Sequence, residues 1–178
     1  MEAVEIIAEV LKYVAPVAVL LIVVKYMNDQ QMERLKAEHQ RLVRSEVLRA
    51  HLPLRLTAYE RAVLFLERIS PEHLLPRIPV QGKTAAAYHQ ELVREIQTEY
   101  EHNLAQQIYI SVGGWAALVR AKDEIHNLLN TSLSEVGREA EAILLVRKIF
   151  EICSTTELLP TQKAANVLKA DIQVYFQP

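Results

Sequence analysis

Apolar residues fall three and four apart along most of this chain, the period of helices with one buried side. Leu56, Tyr59, Val63 and Leu66 repeat in this way, and Leu64, Phe65 and Ile69 widen the face. Pro53, just before them, is expected to kink or restart the helix, and Thr57 and Glu60 stand at capping-box spacing. Ser70-Pro71 reads as an N-cap followed by proline at the first helical position. It opens a short turn that Pro76 and Pro79 end. A long helix is predicted from a Thr84 cap to about Ile108, with Tyr88, Leu92, Ile96, Tyr100, Leu104 and Ile108 along one face. Ser111-Val-Gly-Gly breaks it. Trp115, Leu118, Val119, Ile125, Leu128 and Leu129 mark the next helix, which Gly137 ends or interrupts. Ala142 to Cys153 is strongly apolar and is expected to be the most buried helix. Thr155 or Thr156 and Pro160 open a last one, with Ala164, Val167, Leu168, Ile172 and Tyr175. No period-two pattern competes. The expected fold is all-α, an antiparallel bundle of four to five helices over residues 53–178.

The pattern before residue 53 is different. Residues 13–24, YVAPVAVLLIVV, carry no charge. As a helix they reach about 18 Å, short of the ~30 Å hydrocarbon core of a bilayer. Extension back to Ala3 gives about 33 Å and takes in Glu5, Glu9 and Lys12. Glu9 and Lys12 then share a face and partly neutralise each other. Tyr13 and Tyr26 are placed to act as interfacial aromatics. A buried soluble helix is the alternative at this apolar length. A secretory signal fits poorly, because the first charges are acidic and no small-residue cleavage site follows Val24. The expectation is a single transmembrane anchor over 1–27 that meets the lipid bilayer through residues 3–24. Lys25, Arg34, Lys36, Arg41 and Arg44 follow this stretch and no basic residue precedes it. The positive-inside rule then places the N-terminus outside and the bundle in the cytoplasm, at a bacterial inner membrane. Residues 28–52 read as a polar helical stalk. Met32, Leu35, His39 and Leu42 keep a coiled-coil spacing for little more than one heptad.

Composition narrows the chemistry. With 178 residues, the chain suits about one domain. Twenty basic against 22 acidic residues give a formal charge of −2, which argues against a nucleic-acid partner. Four glycines leave little for a phosphate cradle, and one cysteine excludes an intrachain disulfide or a multi-cysteine zinc site. No cofactor is implied. Cys153 falls on an apolar face, as a small core residue would.

Two constellations remain. Glu99 with His102, and Asp123 with His126, are carboxylate–histidine pairs three apart on consecutive helices. Such pairs, joined by carboxylates such as Glu60, Glu67 or Glu141, would resemble the ligand set of a di-metal carboxylate bundle. Against this, ferritin-like order separates the two pairs by a helix, and surface glutamates and histidines are common. Arg55, Glu60, Arg61, Glu67 and Arg68 surround the first bundle helix as ion pairs or as a surface for a protein partner. The Ser111 turn offers free N–H groups to an anion, or simply a capped helix start.

LPLRLTAYERAVLFLERISPEHLLPR at 52–77, EYEHNLAQQIYIS at 99–111 and PTQKAANVLKADIQVYF at 160–176 resemble a family of uncharacterised bacterial proteins. The resemblance implies an N-terminal membrane helix and a small helical cytoplasmic domain, and no activity. SVGGW at 111–115 departs from it, since acidic residues are expected after the serine. The functional expectation is a membrane-tethered, non-catalytic interaction or scaffold protein with an unidentified protein partner. The alternatives are a di-metal carboxylate enzyme and a stalk subunit of a larger membrane assembly.

Overall fold

A computed structural model describes the backbone of residues 2–174, and the side chains from Leu20 to Val174 except those at 22, 37, 41, 44, 45 and 48. It is helical throughout: α1 (Glu2–Ile69), α2 (Pro71–Leu74), α3 (Ala85–Asn103), α4 (Val112–Val136), α5 (Ala142–Ser154) and α6 (Pro160–Gln173), with 3-10 turns at 75–77 and 104–108. Two compact units divide at residue 51: Met1–His51 and Leu52–Pro178.

The first unit is helix, and every described side chain in it is exposed. Met32, Leu35 and Leu42 build no core there. Among the described residues no helix is long and apolar enough to cross a membrane. This corrects the expected transmembrane helix. The physical reason lies in the run itself: its uncharged part, 13–24, is about 18 Å long. Lengthening it requires Glu5, Glu9 and Lys12, and each such charge costs ~2.5–3.5 kcal/mol at the centre of a bilayer. Of the expected 3–24 span, the side chains of residues 3–19 and 22 lie outside the described residues. The bilayer contact and the N-outside orientation rested on that helix alone.

The second unit holds the core. α1 continues through Pro53, so the helix does not restart there and Thr57 and Glu60 form no cap. Pro53 is exposed, and its fixed φ suits a helix; the N–H it lacks costs ~3 kcal/mol in a helix interior. Apolar packing immediately downstream offsets that cost. Ala58, Tyr59, Ala62, Phe65, Leu66 and Ile69 are all buried, at three-four spacing.

Ser70 ends α1 in an extended conformation, and Pro71 starts α2 as expected. Thr84 caps α3 by accepting from the Ala87 N–H at 3.2 Å. α3 stops at Asn103, short of the expected Ile108. The Asn103 side chain donates to the Glu99 carbonyl (2.8 Å), and its own backbone lies at φ −105, ψ −2. The chain tightens into a 3-10 turn, and the face rotates. Leu104 is 40% and Ile108 74% exposed, although the spacing predicts both inside.

α4 starts at the Ser111 cap and ends at Gly137, whose φ of 92° favours glycine. α5 buries only Ala142, Leu145 and Ile149, while Ile143, Leu144 and Phe150 are exposed. α5 is therefore not the most buried helix as expected, since α4 buries more of its residues; an apolar helix against one layer still has an outer side. Cys153 is half-buried. The Leu159 N–H donates to the Gln162 side chain at 3.2 Å as α6 begins. Tyr175 lies outside the described residues.

Side-chain contacts give the packing directions. His89 meets Asn130 at 2.9 Å while Tyr100 meets Trp115 with ring centroids 5.9 Å apart, so α3 and α4 run antiparallel. α6 lies against α4 and against the 52–69 part of α1, antiparallel to both: Asp171 reaches Tyr59 and Ser111 at one end, and Thr161 and Gln162 lie near Leu66 and Glu67 at the other. At the opposite side the loops before α3 and α5 pair, with Ala85 N–H to Ala140 C=O at 2.7 Å and Ala142 N–H to Lys83 C=O at 3.1 Å.

Candidate functional site

The 52–69 part of α1 carries two neighbouring stripes. One is the core stripe above. The other, Leu56, Glu60, Val63, Leu64 and Glu67, is turned about two-fifths of a revolution from it. α6 presents Leu168 and Ile172 toward the same side. Between them runs an apolar groove of about 410 Å³, with Lys169 on its α6 edge and Glu60 and Glu67 on its α1 edge. Tyr59 and Leu168, both buried, form its floor. Leu64 is 56% exposed, a large apolar side chain held at the surface by a well-packed helix.

A polar interlock positions the two walls. The Ser111 hydroxyl accepts from the Gly114 N–H at 2.9 Å and donates to the Asp171 carboxylate. The Tyr59 hydroxyl accepts from the Ser111 N–H at 3.0 Å and lies 3.5 Å from the same carboxylate oxygen. Three helices, α1, α4 and α6, are thereby joined at one point. Gly114 lets α6 come close: a Cβ there would stand 2.7 Å from Asp171 Oδ2 and 3.0 Å from Leu168 Cδ2. The anion reading of the Ser111 turn is corrected by this arrangement. The chain's own carboxylate sits at the position where an anion would bind, and like charges repel there.

The expected ligand pairs are not brought together. Glu99 pairs with Arg68 at 2.5 Å and Arg77 at 3.5 Å, and Arg77 also reaches Glu95 at 3.4 Å. His102 is exposed at the end of α3. Asp123 is exposed and pairs with Lys122 at 2.9 Å. The Lys122 ammonium lies 4.9 Å from the centre of the Tyr100 ring. His126 is half-buried. Its Nε2 is buried without a hydrogen-bond partner, and its pKa is held below the usual range, first by burial and then by the Lys122 charge. Among the described residues no group of three or more His, Cys, Asp or Glu is placed to hold a metal ion. Of the extra carboxylates, Glu60 and Glu67 edge the groove, while Glu141 precedes α5 on the paired loops. Burial, and secondarily Glu72, pushes the Cys153 thiol upward, so it stays protonated near neutrality.

The five residues grouped as one surface divide. Glu60 and Glu67 belong to the groove, and Glu67 also lies 3.7 Å from His73. Arg68 turns to Glu99 on α3. Arg61 is exposed on that side of the helix, and Arg55 is half-buried. Of the groove residues, only Glu60 and Glu67 are singled out from sequence as a surface. Leu56, Tyr59, Val63, Leu64, Leu168 and Ile172 read as core by spacing, and Lys169 as an ordinary position on the last helix. A second set of apolar positions at 56, 63 and 64, interleaved with Glu60 and Glu67, is the signal that an uncovered face exists.

Comparison with curated proteins and with solved structures gives no match. A model for a family of unknown function, DUF7935, matches residues 5–175. That agrees with an uncharacterised family and adds neither an anchor nor a bacterial origin. Covering nearly the whole sequence, the match shows that the chain belongs to this family of unknown function, DUF7935.

Proposed function

We propose that this chain is a helical interaction module, a non-catalytic scaffold whose binding surface is the groove between α1 and α6. The observation that carries the reading is the groove itself: apolar walls, a buried floor, and charged residues only at its edges. Binding surfaces have this anatomy, an apolar centre ringed by polar groups. From Leu56 to Glu67 it extends about 16 Å along α1, three turns of helix, a length matched by a helix anchored at i, i+4 and i+7. The candidate ligand groups are otherwise placed: Glu99 pairs with two arginines, Asp123 pairs with Lys122 at the surface, and His126 is half-buried.

A photo-crosslinking residue at Leu64, compared with one at the exposed Arg94 of α3, tests the reading in cells that make the full chain. Adducts to protein from position 64, lost on adding Ile172→Glu, are the expected result. Equal adduct yields from both positions, or none from 64, would overturn it.

A further inference from the structure

We infer that the groove is occupied by a second copy of this chain, paired groove to groove about a two-fold axis running along the groove. The inference rests on the reading of the groove as an interaction surface and names its partner. The argument is the distribution of charge at the edges. The α1 edge is acidic, with Glu60 and Glu67, and the α6 edge is basic, with Lys169. All three side chains are exposed. Tyr59 meets Asp171, so Glu60 and Lys169, next to them in sequence, stand at about the same level along the groove.

A two-fold axis along the groove turns one copy over onto the other and exchanges its edges. The acidic edge of each copy then faces the basic edge of its partner, at the same level. An axis across the groove would instead set Glu60 and Glu67 against the same residues of the other copy. The charges therefore favour one of the two symmetric pairings. Symmetric dimers are built from such self-complementary patches. The same rotation brings Leu64 of each copy near the level of Leu168 of the other, which removes the exposed leucine from water. Edge charges act on the choice of register and on the encounter more than on affinity, while the apolar floor supplies the attraction.

Charge exchange on the full chain tests this, read by sedimentation velocity over a concentration series. Circular dichroism confirms that each variant is folded. The wild-type chain is expected to dimerise. Glu60→Lys with Glu67→Lys makes both edges basic, and Lys169→Glu makes both acidic. Each variant alone should dimerise roughly tenfold more weakly, or not at all. Mixed in equal amounts, the two should recover dimers, all of them containing one of each. The chain carrying all three changes should dimerise with itself. A wild-type chain that stays monomeric overturns the inference, as does a dimer that ignores every exchange. If the chain is monomeric while position 64 still crosslinks to a different protein, the interaction reading stands and the second copy is ruled out. If position 64 crosslinks to nothing, both are overturned.

Discussion

Replacing Gly114 with alanine should destabilise the protein, whereas the same change at Gly113, one residue earlier, should not. Alanine is ordinarily favoured over glycine inside a helix by about 1 kcal/mol. At Gly113 the new methyl group meets nothing nearer than the Ser111 hydroxyl at 4.0 Å. Gly113→Ala should therefore be neutral or stabilising by up to about 1 kcal/mol. At Gly114 the methyl group would stand 2.7 Å from Asp171 Oδ2, 3.0 Å from Leu168 Cδ2 and 3.1 Å from Ser111 Oγ. All three are side-chain atoms, but the Asp171 carboxylate is held by Ser111 and lies beside Tyr59, and Leu168 is buried, so relief disturbs the interlock or its packing. Overpacking of this kind costs about 1–3 kcal/mol. After the helix-propensity gain of about 1 kcal/mol is subtracted, the net loss is up to about 2 kcal/mol. For a chain of this size, 1 kcal/mol moves Tm by roughly 2–4 °C. Urea denaturation of wild type, both single variants and Gly114→Ala with Asp171→Ala measures the values and the coupling between the sites. Removing the Asp171 carboxylate should lower the cost of the alanine. A stabilising Gly114→Ala, or one that behaves like Gly113→Ala, would refute the close approach of α6 on which the groove wall depends.

Leu66→Ala should cost about 2–5 kcal/mol because the side chain is buried in the core, while Leu64→Ala, at the groove, should cost under about 1 kcal/mol in the isolated monomer; chemical denaturation separates them. Tyr88 donates from its buried hydroxyl to the Leu75 carbonyl at 3.1 Å, so Tyr88→Phe should lose about 0.5–1.5 kcal/mol. Burial, with Glu91 adding to it, pushes the Tyr88 pKa up to about 12. The unfolded chain loses that proton first, so its contribution is complete below pH 10 and is lost as pH rises from 10 to 12. Stability against alkali, followed by Tm, should be less steep in the phenylalanine variant. His126 has the opposite sign: its folded pKa lies below 6.5, so its contribution is present above pH 6.5 and lost as pH falls below it. His126→Leu should flatten the acid side of a Tm-versus-pH profile, and an unchanged acid slope would show that the ring is free to take a proton in the folded state.

Where a boundary depends on local chemistry, the spacing and caps of the sequence read it well. Thr84 caps α3, Pro71 opens α2 and Gly137 ends α4, because each signal acts through its own backbone within a few residues. Other expectations failed where the outcome is set at a distance. Leu104 and Ile108 keep the α3 period, yet the backbone leaves the helix at Asn103 and turns both outward. Pro53 is carried inside a helix by packing that begins at Ala58. Ile143, Leu144 and Phe150 are apolar, but they remain exposed among the described residues. The membrane expectation counted length through Glu5, Glu9 and Lys12. At the groove, Glu60 and Glu67 were legible as charges on the first bundle helix. Asp171 was not legible as their neighbour's partner, because it meets Tyr59 across 112 positions of sequence. Spacing along one helix shows which residues share a face and leaves open which face is covered.

Carbene footprinting of the full chain tests the central claim most directly, by comparing labelling in intact cells with labelling of the purified chain at high dilution. If the groove is the binding surface, labelling of Leu56, Val63, Leu64 and Ile172 should fall several-fold in cells, while the exposed α3 residues Arg94 and Gln97 should label equally in both. Equal labelling of the groove residues in the two settings would show that nothing binds there and would contradict the account.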